Sequence, residues 1–452
     1  MAITIEQSPT TPNMANANLI YQVSSNQTTQ AQFQYVMDIQ NASRTVLQRI
    51  KQQPNPSGVG VFDVGQIITN YVGIDEVWKT PECATSDNAN ERFWIAFGEE
   101  YGASVSSSVV LYNGSGVAGS PAKSGSFTLT ATNGLVEPNS GAWNFPSGSY
   151  VTSSIAPTGG SAGFTLQHGL SNAPKTQSIQ DGEYATVALY NGNFDNSDTN
   201  AQDIYYIGVN VYNSAGSNIQ NFDWFNITSN GGGPRVSSLG EWGDSGVYNA
   251  QNAGTNLIHF AAGPQNFADA GQTLNAAWDY YVISFRPQES AGIEDSSAYY
   301  AQYRFNKSNP ECISDGVRFA WKNEFGVWDY YTARLAKNTS VQIERNSYQQ
   351  SFVNFSNAAG TLPYNISRRG FEQFQNKLNQ SFNVTTDILG QADADWLKEL
   401  FFSTQVFVQE GTDFLPVVIT DANVTEKTNK RSQKTFQYTF NYQYANPLRA
   451  RL

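Results

Sequence analysis

Arg318-Phe-Ala-Trp-Lys-Asn-Glu-Phe-Gly-Val-Trp-Asp-Tyr-Tyr331 decides the fold class of this chain. Apolar and aromatic residues at Phe319, Trp321, Val327 and Tyr331 flank Asn323-Glu-Phe-Gly326, a polar, glycine-containing break of the kind that reverses a β-hairpin. Downstream, Asp393-Ala-Asp-Trp396-Leu397-Lys-Glu-Leu400-Phe401 spaces its apolar residues for one face of a helix, with acids ahead of them to suit the N-terminal dipole. Strand patterns follow at 405–409, 415–420 and 435–444, the last alternating large apolar with polar side chains. The last third therefore reads as a β-scaffold carrying a single packed helix.

Working outward, strands are expected at 18–24, 33–39 and 45–51, then a short helix with Asp63 as its cap and Val64, Ile67, Ile68, Tyr71 and Val72 on one face. A further strand covers 91–101. Residues 182–190, 204–212 and 278–285 form a second group of strands, and Asn213-Ser-Ala-Gly216 is a turn after the middle one. Between the two groups the chain is rich in Gly, Ser, Ala and Thr, which reads as an insertion with irregular strands or as a surface excursion. The organisation expected is an N-terminal β-sandwich with a short helix (1–103), the insertion (104–180), a second β-sandwich (181–310) and a C-terminal β-rich domain with one helix (311–452). The fold class is mainly β: multidomain antiparallel β-sandwiches with a few short helices.

Composition agrees. Of 452 residues, 14% are charged and 13% aromatic, a mixture suited to strands and turns rather than long solvated helices, with enough apolar mass to fold. The net charge of −12 argues against general nucleic-acid binding, which needs clustered Lys and Arg. The basic run Lys427–Lys434 reads as an exposed loop. No stretch approaches the roughly 18 apolar residues of a membrane span, and the N-terminus lacks the basic and apolar regions of a secretion signal. Cys83 and Cys312, both in Pro-Glu-Cys settings, are read as reduced thiols because one pair in so long a chain is no disulfide framework.

Candidate chemistry is sparse. His168 and His259, the only histidines, lack any metal or catalytic motif and read as structural or surface residues. Asn193, Asp195 and Asp198 alternate oxygen donors but lack the spacing and terminal bidentate acid of a helical calcium loop. Glu99, Glu100, Asp315, Glu324 and Asp329 are candidates for paired-carboxylate glycoside hydrolysis, although a solvated or turn-stabilising role suits each. Trp321, Trp328, Tyr330 and Tyr331 are the candidate interface or glycan contacts; alternation in a strand pattern favours a sheet core or subunit contact over sugar stacking. No cofactor and no metal are expected.

Ile20-Tyr-Gln-Val-Ser-Ser25, Phe33-Gln-Tyr-Val-Met-Asp38, Pro54-Asn-Pro-Ser-Gly-Val-Gly-Val-Phe-Asp-Val64, Phe97-Gly-Glu-Glu-Tyr101, Trp396-Leu-Lys-Glu-Leu400 and Pro416-Val-Val-Ile-Thr-Asp421, in that order, resemble a group of tailed-bacteriophage structural proteins assigned to tail or baseplate. The resemblance spans most of the chain and skips the Gly/Ser-rich insertion. It implies a non-enzymatic virion component, assembled in the host cytoplasm, whose partners are other virion proteins and copies of itself. A receptor- or glycan-binding virion protein with a host-surface glycan as ligand, a capsid-decorating protein, and a β-sandwich glycan hydrolase are the alternatives.

Overall fold

The computed structural model describes residues 3–9, 13–41, 44–86, 88–102, 109–112, 127–132, 150–151, 169–191, 204–225, 235–237, 240–242, 257–290, 293–294, 302–308, 316–349, 370–421, 436–446 and 448–451. The protein is mainly β, with several antiparallel sheets and, among the described residues, three helices. It divides into two compact units: Met1–Ser308 with Lys322–Asp329, and Asn309–Trp321 with Tyr330–Leu452.

In the first unit, a three-stranded antiparallel sheet of Ile3–Gln7, Ile20–Ser25 and Val59–Asp63 faces a larger one containing Gln34–Gln40, Val46–Gln52, Asn90–Tyr101 and Phe127–Thr132. Alternation explains the layering. Tyr21 and Phe62 from the small sheet meet Phe97 from the large one, with ring centroids 5.4 and 5.8 Å apart, so the two inner faces interdigitate as a sandwich. Ile39, Phe93 and Ile95 fill the same core. The expected helix is one turn, Gly65–Ile68, and its N-cap position is Val64 rather than the expected Asp63; Asp63 lies one residue earlier and accepts the Gly65 N–H at 3.0 Å. Val109–Tyr112, Phe127–Thr132 and Tyr150–Val151 are strands within the Gly/Ser-rich stretch, and the first two pair with Asn90–Tyr101.

The same unit holds a second pair of layers. Leu257–Ala261 runs antiparallel between Thr186–Asn191 and Cys83–Thr85, so a strand from the first hundred residues completes a sheet built from the second and third hundreds. Opposite it lies the sheet of Thr176–Ile179, Gln302–Lys307, Tyr280–Ser290, Ile204–Tyr212 and Asn218–Phe225. Phe260 and Phe285 meet across the layers at 5.3 Å, and the Tyr281 hydroxyl donates to the Ala262 carbonyl. The short helix Pro264–Asp269 begins with proline, whose missing N–H costs nothing at that position, and lays Phe267 against Tyr281 and Phe222. Gly216 closes the turn between Ile204–Tyr212 and Asn218–Phe225 with φ of 76°, where a side chain would be strained.

The second unit is built on an eight-stranded sheet in the order Trp328–Ala333, Val317–Lys322, Val406–Glu410, Asp413–Ile419, Thr439–Tyr444, Phe371–Thr385 and Ala336–Gln349, with Leu448–Arg451 also on Phe371–Thr385; Lys322, Trp328 and Asp329, at the ends of its first two strands, belong to the first unit. It curls. Two strands separate that of Phe319 from Thr439–Tyr444 in the hydrogen-bonded order, yet its ring reaches Phe440 at 5.4 Å and Tyr442 at 5.3 Å. The helix Gln391–Phe402 packs in this curl, placing Trp396 5.2 Å from Trp321 and Phe401 5.1 Å from Phe440. Ala394, Trp396, Leu397 and Leu400 form its buried face, the spacing that the sequence pattern requires. Trp321→Ala is expected to destabilise this unit by about 3–5 kcal/mol, the usual cost of emptying a buried tryptophan site. Chemical denaturation would show it as an earlier transition, and an unchanged midpoint would contradict the packing role.

Candidate functional site

The four aromatic candidates do not form one surface. Trp321 is wholly buried against Trp396 in the second unit, whereas Trp328 is buried in the first, 4.7 Å from Trp78, with its indole N–H donated to the Asp75 carbonyl at 2.7 Å. Tyr330 is buried beneath the Arg318 guanidinium, 5.4 Å from its ring. Tyr331 is partly buried beside Trp396, and its hydroxyl accepts the Asp387 N–H. Burial, reinforced by the Asp387 carboxylate, holds that phenol well above the ordinary tyrosine range. Three of the four rings thus have no open face for a sugar; their place is in sheet cores.

The hairpin break itself is a packed element. Asn323 Oδ1 accepts the N–H groups of Phe325 and Val327 at 3.0 and 3.2 Å, its Nδ2 donates to the Leu170 carbonyl at 2.8 Å, and Gly326 takes φ of 81°. Phe325 and Val327 are consequently buried in the first unit's core.

The carboxylate candidates are engaged locally. Glu99 is buried and accepts the Ser25 hydroxyl, while Glu100 is ion-paired with Lys51. Neighbours on one strand point to opposite faces, which separates the two as a catalytic pair. Glu324 accepts from the Asn172 amide, and Asp329 is buried. Asp315, His168, Cys312, the Asn193–Asp198 loop and the Lys427–Lys434 run lie outside the described residues; Cys83 is partly exposed on its short strand. Among the described residues no cluster of His, Cys, Asp or Glu has a metal-holding arrangement, and no helix is long and apolar enough to cross a membrane.

His259 is buried at the centre of Leu257–Ala261, with neither ring nitrogen hydrogen-bonded. Burial pushes its pKa down to about 4, with Asp75 pulling weakly the other way. It is a neutral core residue at pH 7.

A long exposed ribbon among the described residues is a feature that sequence patterning passes over. Ala336–Gln349 and Phe371–Thr385, strands of 14 and 15 residues, pair antiparallel along their whole length. At about 3.4 Å per residue this ribbon is roughly 45 Å long. Its two faces differ because residues directly opposite share a face. One face carries Val341 opposite Gln380 and Ile343 opposite Leu378, and at its base the buried Phe382 and Val384. The other carries Gln342 opposite Asn379 and Glu344 opposite Lys377, tied by an Asn379–Glu344 hydrogen bond of 3.0 Å and a Lys377–Glu344 ion pair of 3.5 Å. Val341 and Ile343 are about half exposed, at 53% and 48%, and Phe371 reaches 68%.

Phe371–Thr385 is backed by Thr439–Tyr444 and Leu448–Arg451. Ala336–Gln349 ends the strand order, and its far edge is unpaired by any described strand. A period-two signal was present in Val341, Ile343 and Leu378, but it is diluted by Asn, Gln and Ser and lacks a nearby turn. No protein-family model matches the sequence, and no curated protein matches it.

Proposed function

We propose that this protein is a non-enzymatic structural component of a bacteriophage virion, in the tail, baseplate or connector region, acting through contacts with copies of itself and with other virion proteins. The observation that carries the assembly part is the exposed ribbon: a long strand edge with exposed apolar side chains beside it is a docking surface, and monomeric proteins blunt such edges with proline, bulges or charges. The outer strand has no proline, and its pairing is regular from Ala336 to Asn346. The virion assignment rests on the sequence resemblance described above. Buried aromatics, and carboxylates engaged by the Ser25 hydroxyl and by Lys51, support a scaffold role over sugar stacking or hydrolysis.

A cryo-EM map of the native particle tests this reading. Repeated contacts between copies on the tail axis are the expected result. A chain that projects freely with few contacts would overturn it in favour of receptor or glycan binding, and reducing-sugar release by the purified protein would overturn it in favour of hydrolysis.

A further inference from the structure

We propose that the open edge of Ala336–Gln349 pairs antiparallel with the same strand of a second copy of this chain, about a two-fold axis passing at Gln342. This rests on the assembly reading and names its partner and register. A two-fold perpendicular to the sheet keeps the faces matched, so apolar side meets apolar side and amide side meets amide side. With the axis at Gln342, Val341 lies opposite the second copy's Ile343, and each has Leu378 or Gln380 as its neighbour within its own chain. Two Val–Ile pairs flanked by two leucines then close a continuous apolar patch. On the other face Gln342 meets its own copy and Asn346 meets Asn338, extending the ladder already begun by Asn379 and Asn383.

Charge selects the register. Axis placement at Gln342 sets Lys337 opposite Ser347, Arg345 opposite Thr339 and Glu344 opposite Ser340, with no like charges facing each other. Moving the axis to Val341 brings Arg345 opposite Lys337; moving it to Glu344 brings that carboxylate opposite itself. An axis at Ile343 sets Val341 against Arg345 and divides the apolar patch. Among these four, the Gln342 register alone gives both Val341 and Ile343 apolar partners without a charge conflict, and it engages nearly the full strand.

Cysteine cross-linking of the full-length chain reads the register directly. Directly opposed residues of an antiparallel pair have Cα atoms about 4.5–5.5 Å apart, within disulfide reach. Under mild oxidation Gln342→Cys should give a covalent dimer absent from the parent protein, while Glu344→Cys, displaced from its own copy by about 13 Å along the strands, should not. Val341→Lys, a change at an exposed site, should weaken dimerisation about tenfold or more in sedimentation while leaving the circular dichroism unchanged. Equal cross-linking at positions 342 and 344, or a dimer indifferent to Val341→Lys, overturns the pairing while leaving the assembly reading intact. A purified chain that stays monomeric at every concentration also overturns the pairing; the assembly reading then stands or falls on the particle map alone.

Discussion

Replacing Asn266 by leucine is expected to be among the most damaging single substitutions in the first unit, at about 3–6 kcal/mol. Asn266 is fully buried at the start of the Pro264–Asp269 helix. Its Nδ2 donates to the carbonyls of Trp78 and Thr80, both at 2.8 Å, and its Oδ1 accepts the Ala185 N–H at 2.9 Å. One amide therefore satisfies three backbone groups from two segments about a hundred residues apart. Leucine fills the space but removes all three bonds, and each such loss costs roughly 1–3 kcal/mol. Asn266→Asp should be no milder, since it retains the acceptor but removes both donors and adds a buried charge. Gln265→Ala, which removes only an exposed bond to Asp269, should change stability by less than about 0.5 kcal/mol. Urea denaturation of the three variants checks the ordering; equal midpoints for Asn266→Leu and Gln265→Ala would refute the bridging role.

The second large effect is a dependence on pH centred on His259. Its pKa falls from 6.5 to about 4 on folding because burial disfavours the charged ring. The unfolded chain thus binds more protons between those values, and stability must fall as pH drops. The contribution is fully present above pH 6.5, is lost progressively below it, and is exhausted near pH 4, amounting to about 3 kcal/mol at 1.36 kcal/mol per pH unit. Glu82 works in the opposite sense. Burial raises its pKa, so its part of the stability is present in acid and is lost as pH rises through the folded value. His259→Leu removes the titrating group along with two unsatisfied nitrogens, and should flatten the slope between pH 6.5 and 4 while leaving stability at pH 7.5 equal or higher. Unfolding free energies measured across that range provide the check, with parallel curves for parent and variant counting against the assignment.

Much of the fold was legible because its signals were local. The Asn323–Gly326 reversal could be read since the side chain that caps the turn and the glycine that takes positive φ are both within it. Gln391–Phe402 could be read because its apolar spacing matches 3.6 residues per turn. The strands at 204–212 and 91–101 announced themselves by apolar density, and both lie in the interior of their sheets. Polar alternation was weaker evidence. Ala336–Gln349 is exposed on nearly every residue, so burial never selected an apolar pattern strong enough to mark it.

By itself, then, the sequence determined a mainly β chain with a hairpin near 323–326 and a single substantial helix in the last third. Only the tertiary structure decided that Cys83–Thr85 joins Leu257–Ala261, that Asn266 bridges segments near 80 and 185, that Trp321 and Trp328 are core residues of different units, and that a long strand edge is left open. The physical reason is range: turn and helix preferences are fixed by neighbours a few residues away, whereas strand partners and burial are set by contacts whose sequence separation leaves no local trace.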